Sequence, residues 1–67
     1  MKLGNLIIAE KMLAVIGNPK RSDVINKGEL LLVIGASTDD VFSIKVLTRF
    51  GIRYACPDGF SVFSEAR

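Results

Sequence analysis

The stretch that decides the fold runs from Val41 to Phe63 and reads VFSIKVLTRFGIRYACPDGFSVF. Phe42, Ile44 and Val46 fall on one parity of an extended chain, and most residues between them are polar. Ile52–Cys56 repeats this alternation. A period of two is the pattern of a β-strand with one buried face, so the stretch predicts antiparallel strands.

Turn signals divide this stretch into strands. Arg49-Phe50-Gly51 predicts a short hairpin connection, because Gly51 is free to adopt a positive φ. Pro57 has no N–H to donate and is expected to end the preceding strand. Pro57-Asp58-Gly59 therefore predicts a turn before a last short strand at Phe60–Phe63.

The N-terminal half supplies the remaining elements. Leu6–Ile16 is predicted to be a long first strand, Pro19–Gly28 a polar extended loop, and Leu30–Ile34 an uninterrupted apolar strand. Several short antiparallel strands within 67 residues predict a small five-stranded barrel, since closure removes exposed strand edges.

Four segments carry a resemblance to a known family: the opening MKLGNLII, Lys45–Leu47, Gly51–Tyr54 and Pro57–Phe60. They resemble the small Src-homology-3-like (SH3-like) barrel proteins that are common in phages and mobile elements. The resemblance implies one all-β domain over residues 1–67, with a short 3₁₀ turn at Pro57–Phe60. The chain has no Trp and one Tyr, so the aromatic groove of polyproline-binding members is not expected.

A small α/β fold is the alternative, with helices at residues 5–16 and 38–50. Asn5 would cap the first helix, and Ser37 or Thr38 the second. The β-branched residues within residues 41–48 lower the helix propensity there. Two remaining strands would also make too small a sheet, so we favour the barrel.

The residue types argue against catalysis. Histidine, the commonest general base, is absent, and the single Cys56 forms neither an internal disulfide nor a structural zinc site. We interpret Asp39-Asp40 as an acidic turn and Gly17–Ser22 as a basic loop tip. The chain is predicted to be no enzyme and to use no metal and no cofactor.

Localisation follows from the apolar runs and from the cysteine. The longest apolar runs, such as Leu30–Ile34, are far shorter than the roughly 20 residues of a membrane-spanning helix. No signal peptide is predicted, and one free thiol is typical of a reducing compartment. A cytoplasmic protein without a membrane partner is expected.

The predicted function is binding, and basic and aromatic residues form the candidate surface. These residues are Lys20, Arg21, Arg49, Phe50, Arg53 and Tyr54. The first hypothesis is a phage- or mobile-element-type accessory protein that binds another protein or a second copy of itself. Leu47, Phe50 and Phe63 are predicted to point outward and to contribute to such an interface.

The alternative hypothesis is a nucleic-acid-binding barrel that uses the basic loop surface. It is motivated by the net charge of +2 and by the four basic residues of the candidate surface. An ordinary solvated face is the third interpretation. The residues alone do not identify the partner.

Overall fold

A computed structural model describes residues 2–17 and 21–65. None of these residues lies in a helix, so the alternative with helices at 5–16 and 38–50 is wrong and the all-β prediction is confirmed. Nor does the described part contain a helix long and apolar enough to cross a membrane. The described residues form seven strands: β1 Leu6–Ala9, β2 Leu13–Gly17, β3 Arg21–Ile25, β4 Leu30–Ala36, β5 Ile44–Thr48, β6 Gly51–Ala55 and β7 Phe60–Ser64.

All seven strands belong to one antiparallel sheet, in the order β3-β2-β6-β5-β4-β1-β7. Strands β4, β5 and β6 are consecutive neighbours, and β7 returns to lie beside β1. Strands β2 and β3 form a hairpin that lies between β1 and β4 in the chain. The strand ladder is open, with β3 at one edge and β7 at the other.

The strand count of five is corrected to seven within the described residues. The predicted first strand Leu6–Ile16 is two strands, because the chain bends around Glu10 and Lys11. The predicted loop Pro19–Gly28 contains β3, whose only fully buried residue is Ile25. A strand with so little apolar character gives no clear signal in the sequence.

The connections force this open sheet to curl. Residues 10–12 join β1 to β2, although β4, β5 and β6 lie between these two strands in the sheet. In a flat sheet four strand spacings would separate β1 from β2 by about 19 Å. The four backbone steps from Ala9 to Leu13 reach only about 14 Å when fully extended. The sheet must therefore bend until its distant strands approach one another.

The curl places one hydrophobic core on the inner face of the sheet. Every strand contributes to it, including β3 and β7 at the two edges. The buried apolar residues are Ile7, Ala9, Val15, Ile25, Leu31, Val33, Ile44, Val46, Ala55 and Phe60. In β4 and β5 these residues alternate with less buried ones, as a period of two requires.

The two turns predicted in the C-terminal half are confirmed. Gly51 has a φ of +101°, and Thr48 Oγ1 accepts a hydrogen bond from Phe50 N at 3.0 Å and donates one to Gly51 O at 2.9 Å. Strand β6 ends at Ala55, and Phe60 N donates to Pro57 O at 3.3 Å. The hairpin thus fixes the register of β5 against β6, and the turn after Pro57 leads from β6 to β7, which pairs with β1.

Strand β5 begins at Ile44, three residues later than the alternation from Val41 predicts. The reason is a turn around Asp39, whose Oδ1 accepts hydrogen bonds from Val41 N and Phe42 N, both at 2.8 Å. The interpretation of Asp39-Asp40 as a turn is thereby supported for Asp39. These N–H groups, first that of Phe42 and then that of Val41, favour the ionised carboxylate and lower the pKa of Asp39 below its usual 3.8.

We expect this turn to loosen in acid. Because the pKa of Asp39 is lower in the folded chain, its stabilising effect is present above pH 3.8 and is lost as the pH falls through the folded-state pKa. In an NMR titration the amide signals of Val41 and Phe42 should shift together with the Asp39 carboxyl signal. Asp39→Asn should abolish this transition, and amides that titrate unchanged in that variant would contradict the assignment.

Candidate interaction surface

Arg53, one of the predicted surface residues, points towards the inner face of the sheet. It pairs with Val46 across β5 and β6, and Val46 is fully buried. Arg53 Nε lies 3.0 Å from Asp23 Oδ2, and the two side chains are only 13% and 12% exposed. The charge of Arg53 is therefore compensated within the fold, by a largely buried ion pair with Asp23.

Gly17 makes this ion pair sterically feasible. Gly17 lies on β2, which runs between β6 and β3, so the side chain of Arg53 must cross β2 to reach Asp23. A Cβ at position 17 would lie 2.9 Å from Cδ and 3.0 Å from Nε of Arg53. The missing side chain of Gly17 is thus the space through which the guanidinium passes.

Arg21 lies at the start of β3 and shares the carboxylate of Asp23. Its Nε is 3.8 Å from Asp23 Oδ2, and its side chain is 72% exposed. Such an exposed and distant pair contributes little to stability. Lys20, the other predicted residue of the basic loop, lies outside the described residues.

Arg49 and Phe50 form a second group in the connection between β5 and β6. The guanidinium carbon of Arg49 lies 4.4 Å from the centroid of the Phe50 ring, which is a cation–π distance. Arg49 Nε is also 3.3 Å from Glu29 Oε2, close enough for an ion pair but not aligned for a hydrogen bond. Phe50 packs partly buried against the core, so it is less outward-facing than predicted.

Tyr54 lies on the outer face of the sheet, opposite to Arg53. It pairs with Lys45 of β5 and with Ile16 of β2. Successive residues of a strand point to opposite faces, so Arg53 and Tyr54 do not share a surface. The structure thus divides the described candidate residues into an inner ion pair, a turn cluster and one outer aromatic residue.

The Arg53 crossing can be tested with a pair of glycine substitutions. Gly17→Ala should destabilise the protein by about 1–2 kcal/mol, because the new methyl group displaces Arg53 from Asp23. Gly35→Ala is the matched control in β4, since its Cβ would meet only Lys45 atoms at 3.6 and 3.8 Å. Gly35→Ala should be neutral or stabilise by about 0.5 kcal/mol.

Thermal or urea unfolding measures both changes. In the Arg53→Ala background, Gly17→Ala should lose most of its effect, because the side chain it displaces is gone. Equal losses from the two glycine substitutions would contradict this role of Gly17.

The outer face carries a row of apolar side chains that crosses four neighbouring strands. Cross-strand pairing joins Leu6 to Leu32, Leu32 to Leu47, and Leu47 to Ile52. Partner residues in an antiparallel sheet point to the same face. We call Leu6, Leu32, Leu47 and Ile52 the outer row.

The outer row is open to solvent at one end and broadens at the other. Leu47 and Ile52 are 46% and 49% exposed, while Leu6 and Leu32 are partly buried. Two residues further along β1 and β4, on the same face, the pair of Ile8 and Leu30 extends the apolar surface. The side chain of Leu30 is 45% exposed. The contiguous arrangement distinguishes these residues from scattered exposed apolar residues.

Lys45 and Tyr54 lie beside the outer row. They pair with each other and are two residues away from Leu47 and Ile52 along their strands. Within the described part of the chain, no carboxylate forms an ion pair with Lys45. The apolar row is therefore bordered by one unneutralised cation and one aromatic hydroxyl.

Sequence reasoning named Leu47 on this face and missed the rest of the outer row. A signal was present in LLLVI at residues 30–34, where both parities are apolar. Such a run indicates a strand covered on both faces. Here one face packs in the core, and the other is the outer surface.

No family model matches the chain, and no curated protein and no solved structure is similar enough to indicate a relationship.

Proposed function

We propose that this chain is a non-catalytic SH3-like module that binds another protein through the outer row. The observation that carries the proposal is the contiguous apolar row across β1, β4, β5 and β6. The strand order supports the SH3-like part of the proposal. The comparisons with known proteins add no support to it.

Five of the seven strands correspond to the predicted barrel. Strand β7 pairs with β1, β1 with β4, and β4, β5 and β6 follow as consecutive neighbours. The β2–β3 hairpin takes up the second half of the predicted first strand and part of the predicted loop, and a turn at Pro57 precedes the last strand. The short connections and the shared core also favour a strongly curled sheet, close to the closed sheet of a small barrel.

An exposed apolar row favours protein binding because removing it from water is favourable. Burying apolar surface contributes about 25 cal/mol per Å², and clustered apolar residues often lie at the centre of an interface. Lys45 and Tyr54 would then lie at its rim. A partner with an apolar centre and an acidic rim fits this arrangement best.

The nucleic-acid alternative has less support. Arg53 is paired with Asp23 inside the fold, and Arg49 lies beside Glu29. Each ion pair neutralises a charge that would otherwise contact phosphate. Of the predicted basic residues in the described part, Arg21 keeps the most exposed side chain.

The proposal is tested by placing charge in the outer row. Leu47→Lys with Ile52→Lys should weaken binding of a protein partner at least tenfold, because two desolvated apolar contacts are lost. Leu3→Lys with Val41→Lys is the control, because both residues are exposed and neither belongs to the outer row. Proteins captured from the source cells by all three chains are compared, and calorimetry gives the affinity for each one identified.

Support requires a protein that the unmodified chain and the control bind and the outer-row variant does not. A partner that binds all three chains equally would count against the outer row. A fluorescence titration with DNA and RNA at low salt tests the alternative. Tight nucleic-acid binding that survives the outer-row substitutions would overturn the proposal.

A further inference from the structure

The β2–β3 hairpin is attached to the edge of a sheet that is continuous without it. Strands β6, β5, β4, β1 and β7 are consecutive neighbours, and β2 and β3 follow at the β6 end. Five residue pairs join β2 to β3, whereas within the described residues one pair, Ile16 with Tyr54, joins β2 to β6. The ladder inside the hairpin is therefore much longer than the ladder that holds the hairpin to the sheet.

The two ends of the hairpin meet at one point. Gly28 N donates to Ala9 O at 2.8 Å, and Ala9 N donates to Glu29 O at 3.0 Å. These bonds continue the ladder of β1 and β4, in which Ile8 pairs with Leu30. The chain therefore leaves the other five strands at Ala9 and returns to them at Gly28, whose φ is +86°. We call this point the hinge, because a hairpin joined through it can move without breaking a pair between β1 and β4.

Side chains, more than backbone pairs, hold the hairpin against the sheet. Of the ten buried core residues in the described part of the chain, the hairpin supplies two, Val15 and Ile25, and the other five strands supply eight. The second contact is polar. Arg53 of β6 lies 3.0 Å from Asp23 of β3, and its Nη1 donates to Ile52 O at 2.7 Å. The eight residues of the five strands are enough for these strands to keep a core of their own.

We propose that the β2–β3 hairpin is a lid, which opens as one unit about the hinge while the other five strands stay folded. Opening uncovers the core residues that Val15 and Ile25 pack against, and it releases the backbone of Tyr54 from Ile16. Tyr54 lies beside the outer row, so the position of the lid alters one end of that surface. This consequence rests on the proposed function, whereas the opening itself does not.

Hydrogen exchange of the backbone amides in low concentrations of urea measures the opening. A detached two-stranded hairpin is at best marginally stable in water, so its amides exchange once the lid is open. We expect the amides of β2 and β3 to share one opening free energy and one urea dependence, both lower than those of β4 and β5. A lower urea dependence means that less surface is exposed than in complete unfolding.

Gly51→Ala separates opening of the lid from complete unfolding. Gly51 lies in the turn between β5 and β6 with a φ of +101°, where alanine is strained, and an added Cβ would meet Arg53 Nη1 at an ordinary 3.7 Å. The strain weakens the five strands equally whether the lid is closed or open. Exchange from β4 and β5 should therefore become roughly tenfold faster. Exchange from β2 and β3 should stay unchanged.

Arg53→Met tests the part that the ion pair plays in the lid. The variant leaves Asp23 largely buried without its close partner in the closed state, and opening returns this carboxylate to water. Exchange from β2 and β3 should become about tenfold faster or more. Arg21→Met is the matched control, because Arg21 lies 3.8 Å from the same carboxylate but is 72% exposed. It should change this exchange less than about twofold.

Two results would overturn the lid: β2 and β3 amides that exchange with the free energy and urea dependence of β4 and β5, or a Gly51→Ala variant that accelerates both groups equally. Either result means that the hairpin opens only together with the whole sheet. Unchanged exchange from β2 and β3 in Arg53→Met would refute the role of the ion pair. If a variant does not fold, the urea series on the unmodified chain decides. All these measurements use the chain without a partner, so their outcome is independent of binding by the outer row.

Discussion

The structure depends on one constraint, which is that short connections and a single core must serve seven strands. The link from β1 to β2 is too short to span a flat sheet, so the sheet curls, and residues from both of its edges enter the same core. Once the inner face is fixed, the period of two assigns every other residue to the outside, except at the register shifts in β4 and β7. The outer row is therefore a consequence of the core and of strands whose sequences are apolar on both parities.

The inner face of the sheet changes from apolar to charged along the strands, where Arg53 pairs with Asp23. Val15 and Ala55 are fully buried, and two residues further along β2 the inner position is Gly17, over which Arg53 lies. A large side chain at Gly17 would extend the apolar core and exclude Arg53. Glycine instead lets two charged side chains from β6 and β3 meet across β2, and their mutual pairing offsets the desolvation of each.

The sequence predicts much of the C-terminal half, because strict alternation and two turn signals act together there. Both turns, at Gly51 and after Pro57, are where they were predicted. The N-terminal half is harder, because β3 is mostly polar and the bend at Glu10 interrupts an apolar run. The polar strand β3 is held in place by its pairing with β2. The pattern of a single sequence does not show which strands pair.

The candidate surface could likewise be predicted only in part. Alternation alone separates Arg53 from Tyr54, so the sequence contained the reason why these two residues do not act together. The pairing of Arg53 with Asp23 was not predictable, because 30 positions separate them and the contact requires a glycine on the strand between them.

The outer row ends at β1, because β7 adds no apolar residue to this face. On the outer face, Leu6 and Ile8 of β1 pair with Ser64 and Ser61 of β7, and the bulge at Phe63 lies just before Ser64. The residues of β7 that pair with the inner positions Ala9 and Ile7 are the apolar Phe60 and Val62, so β7 turns its apolar residues to the inner side of the sheet. The same alternation that completes the core at β7 therefore bounds the apolar row at β1.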